Sequence, residues 1–180
     1  MLSFSSPTWQ SSLLAASKSS SKSSNNKTSS TSAGPRGHAA SEIIPRLYLT
    51  DLFTARNEAE LKRLGITHIV SVIEHEPSFP EIAEGMKKLH IRVADRAEAD
   101  LGVHLEETTR WIGEALGEEG NRVMVHCFMG VSRSATVVCA YLIATMSMTA
   151  PESISFVQSK RGIVCPNIGF RHQLEAYEER

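Results

Sequence analysis

The run RVMVHCFMGVSRSATVVCAYLIATM, residues 122–146, decides how the chain is read. Residues 122–126 are a short apolar stretch of the kind that forms a buried parallel strand, and residues 134–146 an apolar helix with little polar periodicity. Between them stands His126-Cys127-Phe128-Met129-Gly130-Val131-Ser132-Arg133-Ser134. In a strand-to-helix loop of this length successive backbone N–H groups can point inward as an anion cradle, reinforced by the positive end of the helix dipole. Gly130 allows the backbone to turn tightly. Arg133, at the start of the helix, can fold its planar fork over the cradle and bind two oxygens of a phosphate. The same field favours Cys127 as a thiolate beneath the anion site. A nucleophile under a phosphate cradle implies phosphoryl transfer to sulfur, with residues 128–133 as the phosphate-binding loop.

Displacing an alkoxide or phenolate from phosphorus requires an acid to protonate the leaving oxygen. Asp95 is placed for this. It follows an expected strand, Leu89–Val93, by two residues, so it lies in a loop at the C-terminal edge of the sheet, where α/β sites collect. One helix and one strand separate it from Cys127, so a parallel crossover brings both to the same edge. Asp100 is the second candidate acid. Ser134 is read as a donor to the departing thiolate when a phosphocysteine is hydrolysed, and His126 as a buried orienting group rather than a proton carrier.

Working outward, Ile43–Thr50 reads as two short strands broken at Pro45, and Asn57–Leu64 as a short helix ended by Gly65. Thr67–Ile73 is a β-branched run typical of a buried parallel strand. Leu105, Thr109, Ile112 and Leu116 recur at helical spacing opposite Glu106, Glu107, Arg110 and Glu114, which predicts an amphipathic helix over residues 104–117, with Trp111 beside the stripe as partial core packing. Thr149-Ala150-Pro151-Glu152 is a capping box, opening a helix that stops near Gly162. Asn167 caps the last helix, whose Phe170, Leu174 and Tyr177 share a face. Strands alternating with helices, then helices to the end, predict an α/β domain with a mainly parallel central sheet flanked by helices.

The chain has 180 residues and a formal net charge of −1, so it offers no whole-protein signal for nucleic acid or an anionic membrane. Residues 1–36 hold Lys18, Lys22, Lys27 and Arg36 and no acid. Fourteen serines fall between Ser3 and Ser32, too polar a composition to offset ordering entropy, so residues 1–40 are expected to be a disordered Ser-rich tail and residues 41–180 the globular domain. No stretch reaches the roughly 20 apolar residues of a membrane span. No secretory signal or myristoylation motif is read at the N-terminus, while a mitochondrial presequence stays open because the tail is serine-rich and acid-free. Cys127, Cys139 and Cys165 are too few for a disulfide framework, which points to a reducing compartment, cytoplasm or nucleus. A monomer is expected, and no cofactor.

The loop also resembles a known family. His126-Cys127 through Gly130, Ser132-Arg133-Ser134 and Thr136 is similar to the HCxxGxSRSxT signature of dual-specificity protein phosphatases, within the cysteine-based protein tyrosine phosphatase superfamily. The likeness continues through Pro45-Arg46-Leu47-Tyr48-Leu49, Gly65–Ile69, Asp95, Ala140–Leu142, and Pro166-Asn167-Ile168-Gly169-Phe170 with Gln173, Leu174 and Tyr177, covering about residues 42–179. The resemblance implies a protein-tyrosine-phosphatase-like fold and metal-free hydrolysis of phosphotyrosine, phosphoserine and phosphothreonine in proteins through phosphocysteine. Cys127 would attack, Asp95 would act as general acid and then base, and Arg133 would hold the phosphoryl oxygens. Asn167 matches a structural support of the family. The chain looks like the small, atypical kind.

Two positions depart from the pattern. Thr50 stands where the family commonly has Gly, with an effect expected on a turn only, and Met129 where it commonly has Ala, which would alter the pocket floor or rim. Low-molecular-weight tyrosine phosphatases place the loop near the N-terminus and the acid downstream, the reverse of the order here. Phosphoinositide-directed relatives tend to carry lysines in the loop, and residues 128–132 have none. A phosphatase for non-protein phosphates and a non-catalytic phosphate-binding module are the alternatives. Cys139 is expected to be inert packing. Cys165 precedes the Pro166-Asn167 turn and is a candidate disulfide partner for Cys127.

Overall fold

The computed structural model describes residues 39–180, so the expected tail lies outside the described residues except at Ala39 and Ala40. Val123–His126 forms strand β5, every residue of it buried. It is apolar on both faces because it lies between two strands of a sheet that has helices on both sides. Sheet order is β1 (Ser41–Ile44), β2 (Leu47–Thr50), β5, β3 (His68–Val72) and β4 (Lys87–Ile91). β1 is antiparallel to β2, and the remaining pairings are parallel. This is the mainly parallel α/β sheet that the element order predicts.

Register decides where the chemistry collects. Thr50 and Ser71 are both partners of His126, so β2, β3 and β5 end level, and the loops that follow them leave from one edge. The helices are α1 (Leu52–Ala55), α2 (Glu58–Leu64), α3 (Leu105–Gly117), α4 (Arg133–Met146), α5 (Ala150–Lys160) and α6 (Ile168–Glu178), with 3₁₀ turns at Glu81–Gly85 and Gly102–His104. In α3 the expected stripe of Leu105, Thr109, Ile112 and Leu116 is buried. Trp111 is half-buried and meets the His68 ring edge-on at 5.2 Å. The first eleven residues of α4, Arg133–Ile143, are all buried, which explains the lack of polar periodicity: every face of this helix meets protein. Both halves of the Thr149–Glu152 capping box form on α5, and Asn167 caps α6 through a bond from the Phe170 N–H at 3.0 Å.

Two local expectations are corrected, and one short helix is added. The fourth strand lies two residues earlier than Leu89–Val93, because Lys87 and Lys88 belong to an exposed edge strand and their polarity hides them from a pattern of buried strands. That shift frees Val93, whose carbonyl accepts from Arg133. The four-residue helix α1 is too short to leave a periodic signal; it exists because the Asp51 carboxylate caps the Thr54 N–H at 2.8 Å. The effect of Thr50 is not confined to a turn: the residue closes β2, as the strand pattern predicts, and is fully buried with its carbonyl pressed against Gly130. Among the described residues no single helix is long and apolar enough to cross a membrane.

Candidate active site

Where β5 ends, the chain turns through Cys127–Ser132 and enters α4. Gly130 makes the turn possible at φ 67°, and a Cβ there would lie 2.5 Å from the Thr50 carbonyl oxygen, so both the left-handed backbone and the close approach demand glycine. Cys127 is 1% exposed. Its Sγ accepts from the Gly130 N–H at 3.2 Å and from the Ser134 hydroxyl at 3.1 Å, so the sulfur sits on the loop floor with two donors that favour negative charge on it. Ser134 is itself fully buried. Ser132 stands at the N-cap of α4 yet makes no cap bond with its side chain, which leaves the helix N-terminus open toward the loop.

The Ser132 hydroxyl is spent instead on Asp95, donating to Oδ1 at 2.7 Å. Asn167 Nδ2 donates to the same oxygen at 2.9 Å, while its backbone N–H donates to Ser132 Oγ at 3.1 Å. Arg133 Nε lies 3.7 Å from Asp95 Oδ2, near enough to pair in charge but too far for a hydrogen bond. Asp95, Ser132, Arg133 and Cys127 are therefore one constellation. Arg133 is anchored by Nη1 on the Val93 carbonyl at 3.2 Å, and its buried Nε has no hydrogen-bond partner in the structure. A buried donor left unmade is costly, and an oxyanion at the loop mouth would satisfy it.

His126 is fully buried. Its Nδ1 faces the Cys127 carbonyl at 3.3 Å, which can only accept, so Nε2 accepts from the Ser71 hydroxyl at 2.8 Å. Burial pushes its pKa down to about 4, so the ring is neutral and orients the loop, as its position in the sequence suggested. Asp100 stays outside the constellation: its Oδ1 accepts from the Val103 N–H at 3.3 Å and caps a turn. Met129 is 52% exposed, which places it on the rim and not the floor. Phe128 joins it there, edge-on to Phe53 with ring centroids 5.9 Å apart. A cleft of about 490 Å³ opens beside them, lined by Leu52, Arg56, Ile73, His75, Phe128 and Arg133.

Residues outside the expected catalytic set complete the site. Gln173 Oε1 accepts from the Leu101 and Gly102 N–H groups at 2.9 and 2.7 Å, and its Nε2 donates to the Ala99 carbonyl at 2.8 Å. Helix α6 thus grips the loop that carries Asp95, with Asn167 at one end of it and Gln173 at the other. Arg161, 7% exposed, donates through Nε to the Gly130 carbonyl at 3.0 Å. Nothing in its local pattern separates it from a solvated cation at a helix end. Cys139 is buried, which pushes its thiol up to about 12 and keeps it inert. Cys165 is exposed, and its N–H donates to the Val131 carbonyl at 2.9 Å, bringing the α5–α6 connection against the phosphate loop. Among the described residues no cluster of three or more His, Cys, Asp or Glu could hold a metal ion.

The family model described as the dual specificity phosphatase catalytic domain matches residues 47–180. The chain is 42% identical over 144 residues to dual specificity protein phosphatase 26 of Bos taurus, covering 78% of this chain and 68% of that protein. It is 39% identical over 145 residues to dual specificity protein phosphatase 13B of Mus musculus, covering 78% and 73%. Among solved structures, human DUSP28 superposes with a TM-score of 0.74 at 34% identity, over 82% of this chain and 97% of that one. A mouse putative dual specificity phosphatase complexed with zinc tungstate superposes with a TM-score of 0.75 at 32% identity, over 85% and 93%.

Proposed function

The chain belongs to the dual specificity phosphatase family and is a protein phosphatase, and from that premise we propose that it cleaves phosphotyrosine and phosphoserine or phosphothreonine in proteins through a phosphocysteine on Cys127. The observation that carries this is the buried Cys127 sulfur, held by the Gly130 amide and the Ser134 hydroxyl, on the same loop whose Ser132 binds Asp95.

In the first step the Cys127 thiolate attacks phosphorus. The S–P bond forms, the P–O bond to the substrate breaks, and Asp95 gives its proton to the departing oxygen. The three equatorial oxygens rest on the loop amides of residues 128–133 and on the Arg133 fork, whose unpartnered Nε supplies a donor. In the second step Asp95, now a carboxylate, takes a proton from water as the water oxygen attacks phosphorus. The S–P bond breaks and inorganic phosphate leaves. The Ser134 hydroxyl stabilises the thiolate that is released. His126 stays neutral throughout. Asn167 and Ser132 aim Asp95 and do not exchange protons with substrate.

On this reading the substrates are phosphorylated proteins, residues 41–180 form the catalytic domain, and residues 1–40 are a Ser-rich tail that supplies no reacting group. The protein works as a monomer in the cytoplasm or nucleus, where its three free thiols stay reduced. The absence of lysine from residues 128–132 supports proteins over phosphoinositides as substrates.

The test is hydrolysis of para-nitrophenyl phosphate and a phosphopeptide panel across pH 5–8, in chelator and reductant, with Cys127→Ser and Asp95→Ala alongside. Turnover should survive chelation, vanish in Cys127→Ser, and fall in Asp95→Ala most severely for poor leaving groups. Faster turnover of short-chain phosphoinositides than of phosphopeptides would move the substrate class. Tight phosphopeptide binding by fresh, reduced protein with no turnover would mean the loop only reads phosphate.

A further inference from the structure

Arg161 takes no part in the chemistry proposed above, yet it is a cation buried to 7% exposure, a placement that is costly unless its donors are met. All three nitrogens are met. Nε donates to the Gly130 carbonyl at 3.0 Å, Nη2 to the Met129 carbonyl at 3.4 Å, and Nη1 to the Ala39 carbonyl at 2.9 Å and to Ser41 Oγ at 3.5 Å. The buried Asp51 carboxylate lies 3.9 Å from Nη2. Burial pushes the guanidinium below its ordinary value, and the negative charges of Asp51 and Cys127 oppose that push.

Two of these acceptors are consecutive carbonyls of the phosphate loop, and peptide geometry gives that a consequence. In a planar trans peptide the C=O and the following N–H point in opposite directions. Drawing the Met129 carbonyl outward therefore sends the Gly130 N–H inward, which is where it is found, 3.2 Å from the Cys127 sulfur. Drawing the Gly130 carbonyl outward sends the Val131 N–H inward in the same way. Without Arg161 these two carbonyls would lose a common partner on the outer side of the loop.

We propose that Arg161 is a positioning residue for the reaction: by holding the Met129 and Gly130 carbonyls from outside, it keeps the Gly130 and Val131 amides facing the sulfur and the bound phosphoryl group. Its tethers to Ala39, Ser41 and Asp51 fix it against β1 and the cap of α1, so the clamp has a rigid back. The proposal deepens the phosphocysteine reading and rests on it for the word phosphoryl, whereas the effect on anion binding can be measured without turnover.

The experiment compares R161M, R161K and the neighbouring K160Q with the wild-type chain. Affinity for inorganic phosphate is measured by calorimetry, kcat and KM on para-nitrophenyl phosphate by steady-state turnover, and folding by circular dichroism and thermal melting. Removing a charged donor from two loop carbonyls should weaken phosphate binding about tenfold in folded R161M and lower kcat/KM by about a hundredfold, with kcat lowered and KM raised. R161K restores the charge but can hold only one carbonyl well, so it should recover part of both losses. K160Q should match wild type. A residue that only stabilises the fold would lower the melting temperature and leave phosphate affinity unchanged. Folded R161M with wild-type phosphate affinity overturns the proposal, and if R161M does not fold, wild-type affinity in R161K does so. Wild-type protein that binds phosphate but turns nothing over would instead refute the phosphocysteine reading, and the affinity comparison would still decide the role of Arg161.

Discussion

Gly169→Ala sets two physical effects against each other. Gly169 lies in the first turn of α6, and alanine in a helix is favoured over glycine by up to about 1 kcal/mol, so local propensity alone predicts stabilisation. The tertiary structure predicts the reverse. A Cβ on residue 169 would lie 1.9 Å from the Ala97 carbonyl oxygen, 2.6 Å from its carbon and 2.8 Å from its Cα, all inside the 3.0 Å that Cβ contacts respect. Helix or loop must move by more than ~1 Å, and both are backbone, so no side-chain rotation relieves the collision. Ala97 lies two residues beyond Asp95, whose bonds to Ser132 and Asn167 measure 2.7 and 2.9 Å. A displacement of that size breaks at least one of them, and a hydrogen bond to a charged group contributes roughly 1.5–3 kcal/mol. Net of the helix gain, the variant should be destabilised by about 0.5–2 kcal/mol. Denaturant melts measure this directly. Turnover on aryl phosphates measures the rest: about tenfold or more should be lost on phenyl phosphate, which needs the acid, and less on para-nitrophenyl phosphate, whose leaving group needs little protonation. A variant as stable as wild type, with unchanged dependence on leaving group, would refute the reasoning.

His126 should make stability depend on pH, because its folded pKa of about 4 lies below the unfolded value near 6.5. The unfolded chain binds the extra proton, so this contribution, about 3 kcal/mol, is fully present above pH 6.5 and is lost as pH falls toward 4; His126→Gln should flatten that slope in denaturant melts. Gly130→Ala forces φ 67° on alanine and drives a Cβ to 2.5 Å from the Thr50 carbonyl, so inorganic phosphate binding and turnover should both be lost, as calorimetry and para-nitrophenyl phosphate assays would show. Ser134→Ala removes one donor from the Cys127 sulfur; rapid-quench kinetics should show phosphoenzyme accumulating, with its hydrolysis slowed about tenfold and its formation little changed. Asn167→Ala deletes the α6 cap together with a bond to Asp95, and thermal melts should report a loss of about 2 kcal/mol.

The residues themselves carry the nucleophile, the cradle and the order of elements. Cys127, Gly130 and Arg133 are legible because a strand, a loop and a helix of the right lengths follow one another in a single stretch, and hydrophobic period, glycine and the N-terminal helix dipole are all local quantities. The same holds for the capping box at Thr149 and the stripe of α3. What the chain order cannot express is which distant backbone a side chain meets. Asp95 reads as a loop acid at the right edge of the sheet, but that Ser132 and Asn167 share one of its oxygens depends on contacts across 37 and 72 residues, the second made by α6 folding back over the loop. Thr50 reads as the end of a strand, but that its carbonyl is set against Gly130 waits on the pairing of β2 with β5. Arg161 is the plainest case. By sequence it is a cation at the end of a helix, and only the packing of α5 beside the loop buries it and brings it, across 31 residues, to the Gly130 carbonyl. Periodicity records whether a side chain faces the core, whereas partnership between polar groups is settled by tertiary distance, and no local pattern holds that.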